Sequence, residues 1–263
     1  MFSPADLVAR PKVIEHVQAM QSASDEARGQ GLRLTLVPTM GFLHAGHASL
    51  IRRARRDGDV VVVSLFVNPT QFGPEEDFST YPRDFESDMS LIDASGGDIV
   101  FAPSVEEMYP DGFATYVHVD GVAEGLCGAA RPGHFRGVAT VVTKLFAAIR
   151  PHAAVFGQKD ARQALVIQRL SRDLNLGVEI LVAPTIREPD GLARSSRNGY
   201  LSTDERRQAP VLFHALQHGR ELVAAGERDR EAVVSAMRAQ VECAKDAEID
   251  YAVAVNAESL QEA

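Results

Sequence analysis

The chain has 263 residues, of which 45% are hydrophobic and 24% charged, the balance of one large or two smaller soluble domains. A formal net charge of −9 argues against a general nucleic-acid binder, which carries a basic surplus. No apolar run reaches the roughly 18–20 residues that cross a bilayer, and the start of the chain lacks the hydrophobic stretch of a signal peptide. Cys127 and Cys243 form neither a disulfide framework nor a metal spacing, so a cytoplasmic enzyme or binding protein is expected.

Residues 3–30 read as an amphipathic helix with Val13, Val17 and Met20 on one side, ended by Gly29 and Gly31. A strand is predicted over 33–37. It runs into the turn Val37-Pro38-Thr39-Met40-Gly41-Phe42-Leu43-His44-Ala45-Gly46-His47, and a helix over 48–57 follows. The arginines of that helix, Arg52, Arg53, Arg55 and Arg56, suit its C-terminal dipole and a solvated face. Residues 60–67 form a continuous β-branched run, the pattern of a parallel strand covered on both faces. A loop over 68–82 is rich in Pro, Gly and acids, and loops of that length in compact domains are usually functional or disordered.

Further on, a helix is expected over 84–94, with Asp84, Asp88 and Asp93 mostly on its solvated face, and then a strand over 98–102. The alternating run 115–119 suggests an edge strand. Helices over 135–150 and 160–174 and strands over 153–156 and 178–182 complete a strand–helix alternation. That alternation predicts an α/β fold with a parallel sheet wound by helices on both faces, occupying residues 1–183. Beyond Pro184 the pattern changes to helices over 202–225 and 228–244 with one short run at 251–255. A second, smaller α+β domain is therefore expected over 184–263.

Ligands of such sheets sit at the carboxyl ends of strands, and the polar, glycine-bearing turns after Val37, Val67 and Phe156 all fall there. In the first of them, His44 and His47 lie three apart across a helix start. They can face one ligand, where imidazolium would neutralise charge developing on phosphate. In Gly157-Gln158-Lys159-Asp160, Asp160 with Gln163 has the form of a capping box, whereas Lys159 opposes the helix dipole and calls for an anionic partner. Arg194-Ser195-Ser196-Arg197-Asn198-Gly199 fits either a surface turn or hydroxyls and a guanidinium closing over phosphate. The amides of Asn68 and Gln71 fit either a hydroxyl or carboxylate substrate or a capped strand end. Ser202-x-x-Glu205 is a capping box. Neither a P-loop, a dinucleotide-binding glycine motif nor a zinc spacing occurs.

Taken in order, Pro38-Thr-Met-Gly-Phe-Leu-His-x-Gly-His47, Phe66-Val-Asn-Pro-Thr-Gln-Phe72, Tyr81-Pro-Arg83, Arg131-Pro-Gly-His-Phe-Arg-Gly137, Phe156-Gly-x-Lys-Asp160 and Ser195-Ser-Arg-Asn-Gly-Tyr-Leu201 make the chain resemble the pantothenate synthetases, ATP-dependent pantoate–β-alanine ligases. The resemblance, over about residues 12–255, implies a Rossmann-like N-terminal domain of the HIGH-type nucleotidyltransferase superfamily with a small C-terminal lid, shorter than usual for the family. It implies a homodimer, and a reaction in which Mg2+-ATP and pantoate give pantoyl adenylate, which β-alanine converts to pantothenate and AMP. By the same resemblance ATP would be bound by Met40, Gly41, Phe42, Leu43, His44, Ala45, Gly46 and His47, by Gly157, Gln158, Lys159, Asp160 and Ile186, and by Arg194, Ser195, Ser196 and Arg197. His44, His47, Lys159 and Arg197 would be the catalytic groups, with His47 also a proton donor. Gln71, Gln163 and Asn68 would hold pantoate and β-alanine. Resident metal ligands are not implied. Gln158 stands where relatives usually carry Glu, Ala161 and Arg162 where they carry an aromatic and Gln, and Cys127 and Arg194 also depart from the usual residues.

Overall fold

Runs such as Val60 to Val63, with no polar alternation, are stable only where both faces are covered, and the chain supplies that cover from helices. The computed structural model describes residues 10–73, 76, 78–123, 131–257 and 260. Six strands, β1 (Lys12–Ile14), β2 (Leu34–Thr39), β3 (Val60–Leu65), β4 (Ile99–Phe101), β5 (Ala153–Gly157) and β6 (Glu179–Ala183), form one sheet in the order β1-β4-β3-β2-β5-β6. Every pairing in it is parallel. Helices α1 (Val17–Gly29), α2 (Ala45–Asp57), α3 (Phe85–Ser95), α4 (Val105–Met108), α5 (His134–Ile149) and α6 (Ala161–Asp173) connect the strands.

Alternate strand residues feed two cores. Leu34, Leu36, Val60, Val62 and Phe101 pack with Met20 of α1 and Val138 and Leu145 of α5. Val37, Val61, Val63, Val100 and Val155 pack on the other face with Ile51 of α2 and Ile92 of α3. Leu36 and Val37 are thus adjacent in sequence and fully buried on opposite faces. The doubly wound α/β architecture expected from the alternation is present.

Four local expectations change. Residues 1–9 lie outside the described residues, and Lys12–Ile14 is a strand, not helix. The Lys12 N–H donates to Asp98 O, and β1 adds in parallel to β4. A three-residue strand is too short to show a period. Residues 115–119 have no ladder partner among the described residues; instead the Val117 N–H donates to Thr140 Oγ1, and Val117 and Val119 pack on the core. The helix expected over 202–225 is two, α7 (Thr203–Gln208) and α8 (Val211–Ala224), because Pro210 lacks an N–H and stands at the start of the second. Residues 251–254 are not a strand.

The chain divides into two compact units, Met1–Pro184 and Thr185–Ala263. The described part of the second holds α7, α8, α9 (Arg230–Glu242) and an antiparallel bridge between Arg187 and Ala193. Close packing of α8 on α9 depends on Gly219, where an added Cβ would lie 2.6 Å from Met237 Sδ. The capping box of Ser202 and Glu205 is formed as expected, with the Ser202 N–H donating to Glu205 Oε2 at 2.8 Å.

Two packing details shape the first unit's upper edge. Strands β2 and β5 pair only at Thr35 with Ala153 and Leu36 with Ala154, so their carboxyl ends part. On the other side of β2, α5 lies against a short 3-10 turn, Pro69–Gln71, that follows β3. Gly137 makes that contact possible: a Cβ there would stand 2.2 Å from Thr70 O and 2.7 Å from Gln71 Cα. Backbone atoms cannot yield as a side-chain tip can. Gly137→Ala should therefore destabilise the protein by about 1–3 kcal/mol, read as a thermal midpoint lowered by several degrees. An unchanged midpoint would contradict this packing.

Candidate active site

The order β3-β2-β5 makes the gap between β2 and β5 the point where the chain's winding reverses. Open parallel sheets hold ligands there, outside the strand ends. The histidine turn leaves β2 on one side of this gap and Gly157 to Asp160 leave β5 on the other.

Thr39 starts the turn by donating from Oγ1 to Ser64 O at 2.7 Å and accepting the Gly41 N–H. Gly41 (φ 87°) and Phe42 (φ 53°) are then both left-handed, a conformation uncommon for a residue with a side chain. A carboxylate holds them. Asp88, buried on α3, accepts the Phe42 N–H at 2.9 Å on one oxygen and the Leu43 N–H at 2.6 Å on the other. Burial raises its pKa and the two N–H bonds oppose the rise. Asp88 does not belong to the solvated face expected of it. The signal was present, since Asp88 stands four residues before Ile92, on the stripe that faces the core.

His44 is the N-cap of α2 and the two histidines close a capping box on each other. The Gly46 N–H donates to His44 Nδ1 at 3.1 Å, and the His44 N–H donates to His47 Nδ1 at 3.2 Å. Ring centroids are 4.1 Å apart. An Nδ1 that accepts cannot carry the proton, so each ring presents Nε2–H. His47 keeps an accessible edge, yet burial, followed by the neighbouring His44 and Lys159, lowers its pKa to about 3. The imidazolium expected at this position is therefore a neutral imidazole. Lys159, in a 3-10 turn (Gln158–Asp160), is close enough across the gap to act on it. The Asp160–Gln163 capping box does not form; Asp160 makes no side-chain cap and lies 3.8 Å from Lys159 Nζ. Gln163 is half-buried on α6 and Gln158 is exposed.

After β3, Asn68 and Gln71 prove to have different jobs. Asn68 is 1% exposed. Its Oδ1 accepts from Tyr109 Oη (2.7 Å) and Thr70 Oγ1 (2.9 Å), and its Nδ2 donates to Gly137 O and Gln71 Oε1. Its amide is thus bonded on both sides within the protein. Gln71 is half-buried, and its Nε2 donates to Met40 Sδ at 3.1 Å. Three residues that the sequence alone does not single out fix its backbone. His134 Nδ1 donates to Gln71 O at 2.8 Å, Arg131 donates to His134 Nε2, and Arg131 grips Glu76 through two bonds of 2.6 Å. The Arg131 guanidinium lowers the Glu76 pKa to about 2. Arg131 and His134 lie inside a quoted motif, but only folding brings Glu76 to them. Arg162 is buried with its guanidinium over the Phe135 ring, and Cys127 lies outside the described residues.

In the second unit, the Ser195 hydroxyl accepts the Arg197 N–H at the head of a 3-10 turn, Ser196–Tyr200. Arg194, expected to add charge to a phosphate clamp, is paired instead with Glu188 at 3.0 Å, and its N–H donates to Ile186 O. A cavity of about 300 Å3 borders Met40, Gly41, Phe66, Asp88 and Ala102. A larger open depression by Gln168, Ser171 and Glu179 touches none of the three turns.

This geometry can be set beside known proteins. The sequence profile described as pantoate-beta-alanine ligase matches residues 12–263. The chain belongs to the pantoate–β-alanine ligase family. It is 54% identical to the pantothenate synthetase of Moorella thermoacetica, with 95% of this chain and 88% of the relative covered. With that of Acetivibrio thermocellus it shares 51%, over 95% and 89% of the two chains. The crystal structure of pantothenate synthetase from Thermus thermophilus superposes with a TM-score of 0.90 at 45% identity, covering 96% of this chain and 90% of that one. The ligase from Francisella tularensis, complexed with beta-gamma ATP and beta-alanine, gives 0.75 at 34% identity, over 88% and 86%. The chain is accordingly a ligase that joins pantoate to β-alanine with ATP as a substrate.

The charge state of His47 can be read directly. Unfolded, it binds a proton below about pH 6.5, whereas folded it stays neutral down to about 3, so the protein loses stability as pH falls through that window. The expected loss is about 1 kcal/mol per pH unit from this group. Its ring resonances should stay flat between about pH 8 and pH 5 in NMR, and a midpoint near 6.5 would contradict the arrangement.

Proposed function

We propose that the turn from Met40 to His47, together with Gly157 to Asp160, holds the phosphates of ATP while a pantoate oxygen attacks the α-phosphorus. The bond from that phosphorus to the β-phosphate oxygen breaks, pyrophosphate leaves and pantoyl adenylate remains. The amine of β-alanine then attacks the acyl carbon and loses a proton as the bond to AMP breaks. The observation that carries this reading is the pair of Nε2–H groups at the start of α2, set beside Lys159 at the point where β2 and β5 part.

In this reading His44 and His47 are hydrogen-bond donors, and a neutral His47 is not a proton donor. Pyrophosphate needs no proton to leave. Positive charge comes from Lys159, while Ser195, Ser196 and Arg197 of the second unit are the further phosphate-binding residues that the resemblance implies. Gln71 and Gln163 would orient pantoate, and Gln71, whose backbone is fixed by His134, would also lie near β-alanine. Such sites work by positioning and by neutralising charge around an in-line displacement.

Mg2+ would arrive on the nucleotide, as it commonly does where protein ligands are few. Among the described residues no group of three His, Cys, Asp or Glu could hold a metal. Asp160, exposed beside Lys159, could complete its shell. No helix among the described residues is long and apolar enough to cross a membrane. A cytoplasmic homodimer is the state in which we expect the enzyme to work.

Pyrophosphate exchange into ATP should require pantoate, and AMP should accumulate only once β-alanine is added. His47→Ala should lower the exchange by roughly 10²–10³-fold, the usual cost of one donor to a developing anion. Formation of ADP, or exchange undiminished in the variant, would sink the assignment.

A further inference from the structure

Asp88 is a buried carboxylate whose partners are two consecutive backbone N–H groups of the histidine turn, one on each oxygen. These N–H groups converge because Gly41 and Phe42 are both left-handed. Backbone folded this way makes a small concavity lined by amide hydrogens, of the kind that binds anions. Here the anion is the protein's own. We propose that Asp88 is a positioning residue for adenylate formation: its carboxylate fills the concavity, holds Phe42 left-handed and so sets the angle at which α2 presents His44 and His47.

The dependence runs through adjacent atoms. Leu43, whose N–H is held at 2.6 Å, directly precedes His44. His44 is the N-cap, and both histidine contacts begin with backbone N–H groups at this corner, those of His44 and Gly46. Without the carboxylate, two N–H groups would face a cavity walled by Leu65, Phe66 and Phe85, where unpaired donors are costly. Phe42 would also keep a left-handed backbone with nothing opposing its return to negative φ. The corner would turn, and the histidine rings with it.

A second consequence concerns the nucleotide. A glycine turn at a strand end is the usual seat for phosphate, yet here its amide hydrogens are filled and a negative charge stands behind them. Phosphate is thereby directed past Gly41 toward the histidines and Lys159. This part rests on the proposed ATP-binding role of the turn.

Asp88→Asn keeps the shape but faces one backbone donor with an amide NH2. In the pantoate-dependent exchange it should lower kcat/KM for ATP by about tenfold or more, as misplacement of about an ångström does. With preformed pantoyl adenylate, kcat/KM for β-alanine should stay within about twofold. The decisive signature is nucleotide-free 15N NMR of the histidines: Nε2–H tautomers at His44 and His47 in the wild type, mixed tautomers in Asp88→Asn. If Asp88→Asn does not fold, Gly41→Ala strains the same concavity, since its Cβ would lie 3.1 Å from Asp88 Oδ2 at φ 87°, and should give the same mixed tautomers. Unaltered tautomers would overturn the proposal, whether exchange falls or not. Wild-type protein that fails to exchange would instead count against the ATP-binding role, because the NMR measurement uses no nucleotide.

Discussion

Everything at the upper edge of the first unit depends on the parting of β2 from β5. Each is a buried parallel strand held by another neighbour, β3 or β6, so each can leave the other after Leu36 and Ala154 without exposing a ladder. The gap this opens lies where the winding direction of the sheet reverses. Two turns border it, one carrying His44 and His47 and one carrying Lys159. Their mutual effect is visible in His47, whose protonation is suppressed by burial and by both neighbours.

Around that gap the chain leaves few backbone donors unassigned. Asp88 takes two N–H groups of the turn and the histidines take two more. The same economy appears beside β3, where Asn68 joins Tyr109, Thr70, Gly137 and Gln71 in one buried network. Polar networks of this sort rigidify a site when every member is satisfied. They also separate two kinds of residue that look alike in sequence. Asn68 and Asp88 hold backbone, while Gln71 and the two histidines are the residues proposed to meet a ligand.

Much of this could be read from the chain itself, and the misses have identifiable causes. The buried strands and amphipathic helices announced themselves because period and burial coincide, as in α5 with Val138, Val141, Val142 and Leu145. The histidine turn was visible because its position between strand and helix is local. What was not local was missed. β1 is a strand only through its pairing with β4, and Glu76 reaches the site through Arg131, 55 residues away. Asp88 was misassigned because an acidic helix residue is usually solvated, although its phase with Ile92 pointed inward. The charge of His47 was misjudged because burial, not residue type, decides it. The pairing of Arg194 with Glu188 is not legible in the chain, because it is set by the local fold around the bridge between Arg187 and Ala193.

In the proposed mechanism a carboxylate oxygen of pantoate attacks the α-phosphorus of ATP held at the β2–β5 gap. Pantoate labelled with 18O in both carboxylate positions tests it in a single turnover with ATP and β-alanine. One 18O should appear in AMP and one should remain in the new amide. Label in pyrophosphate or inorganic phosphate, or AMP free of 18O, would contradict it.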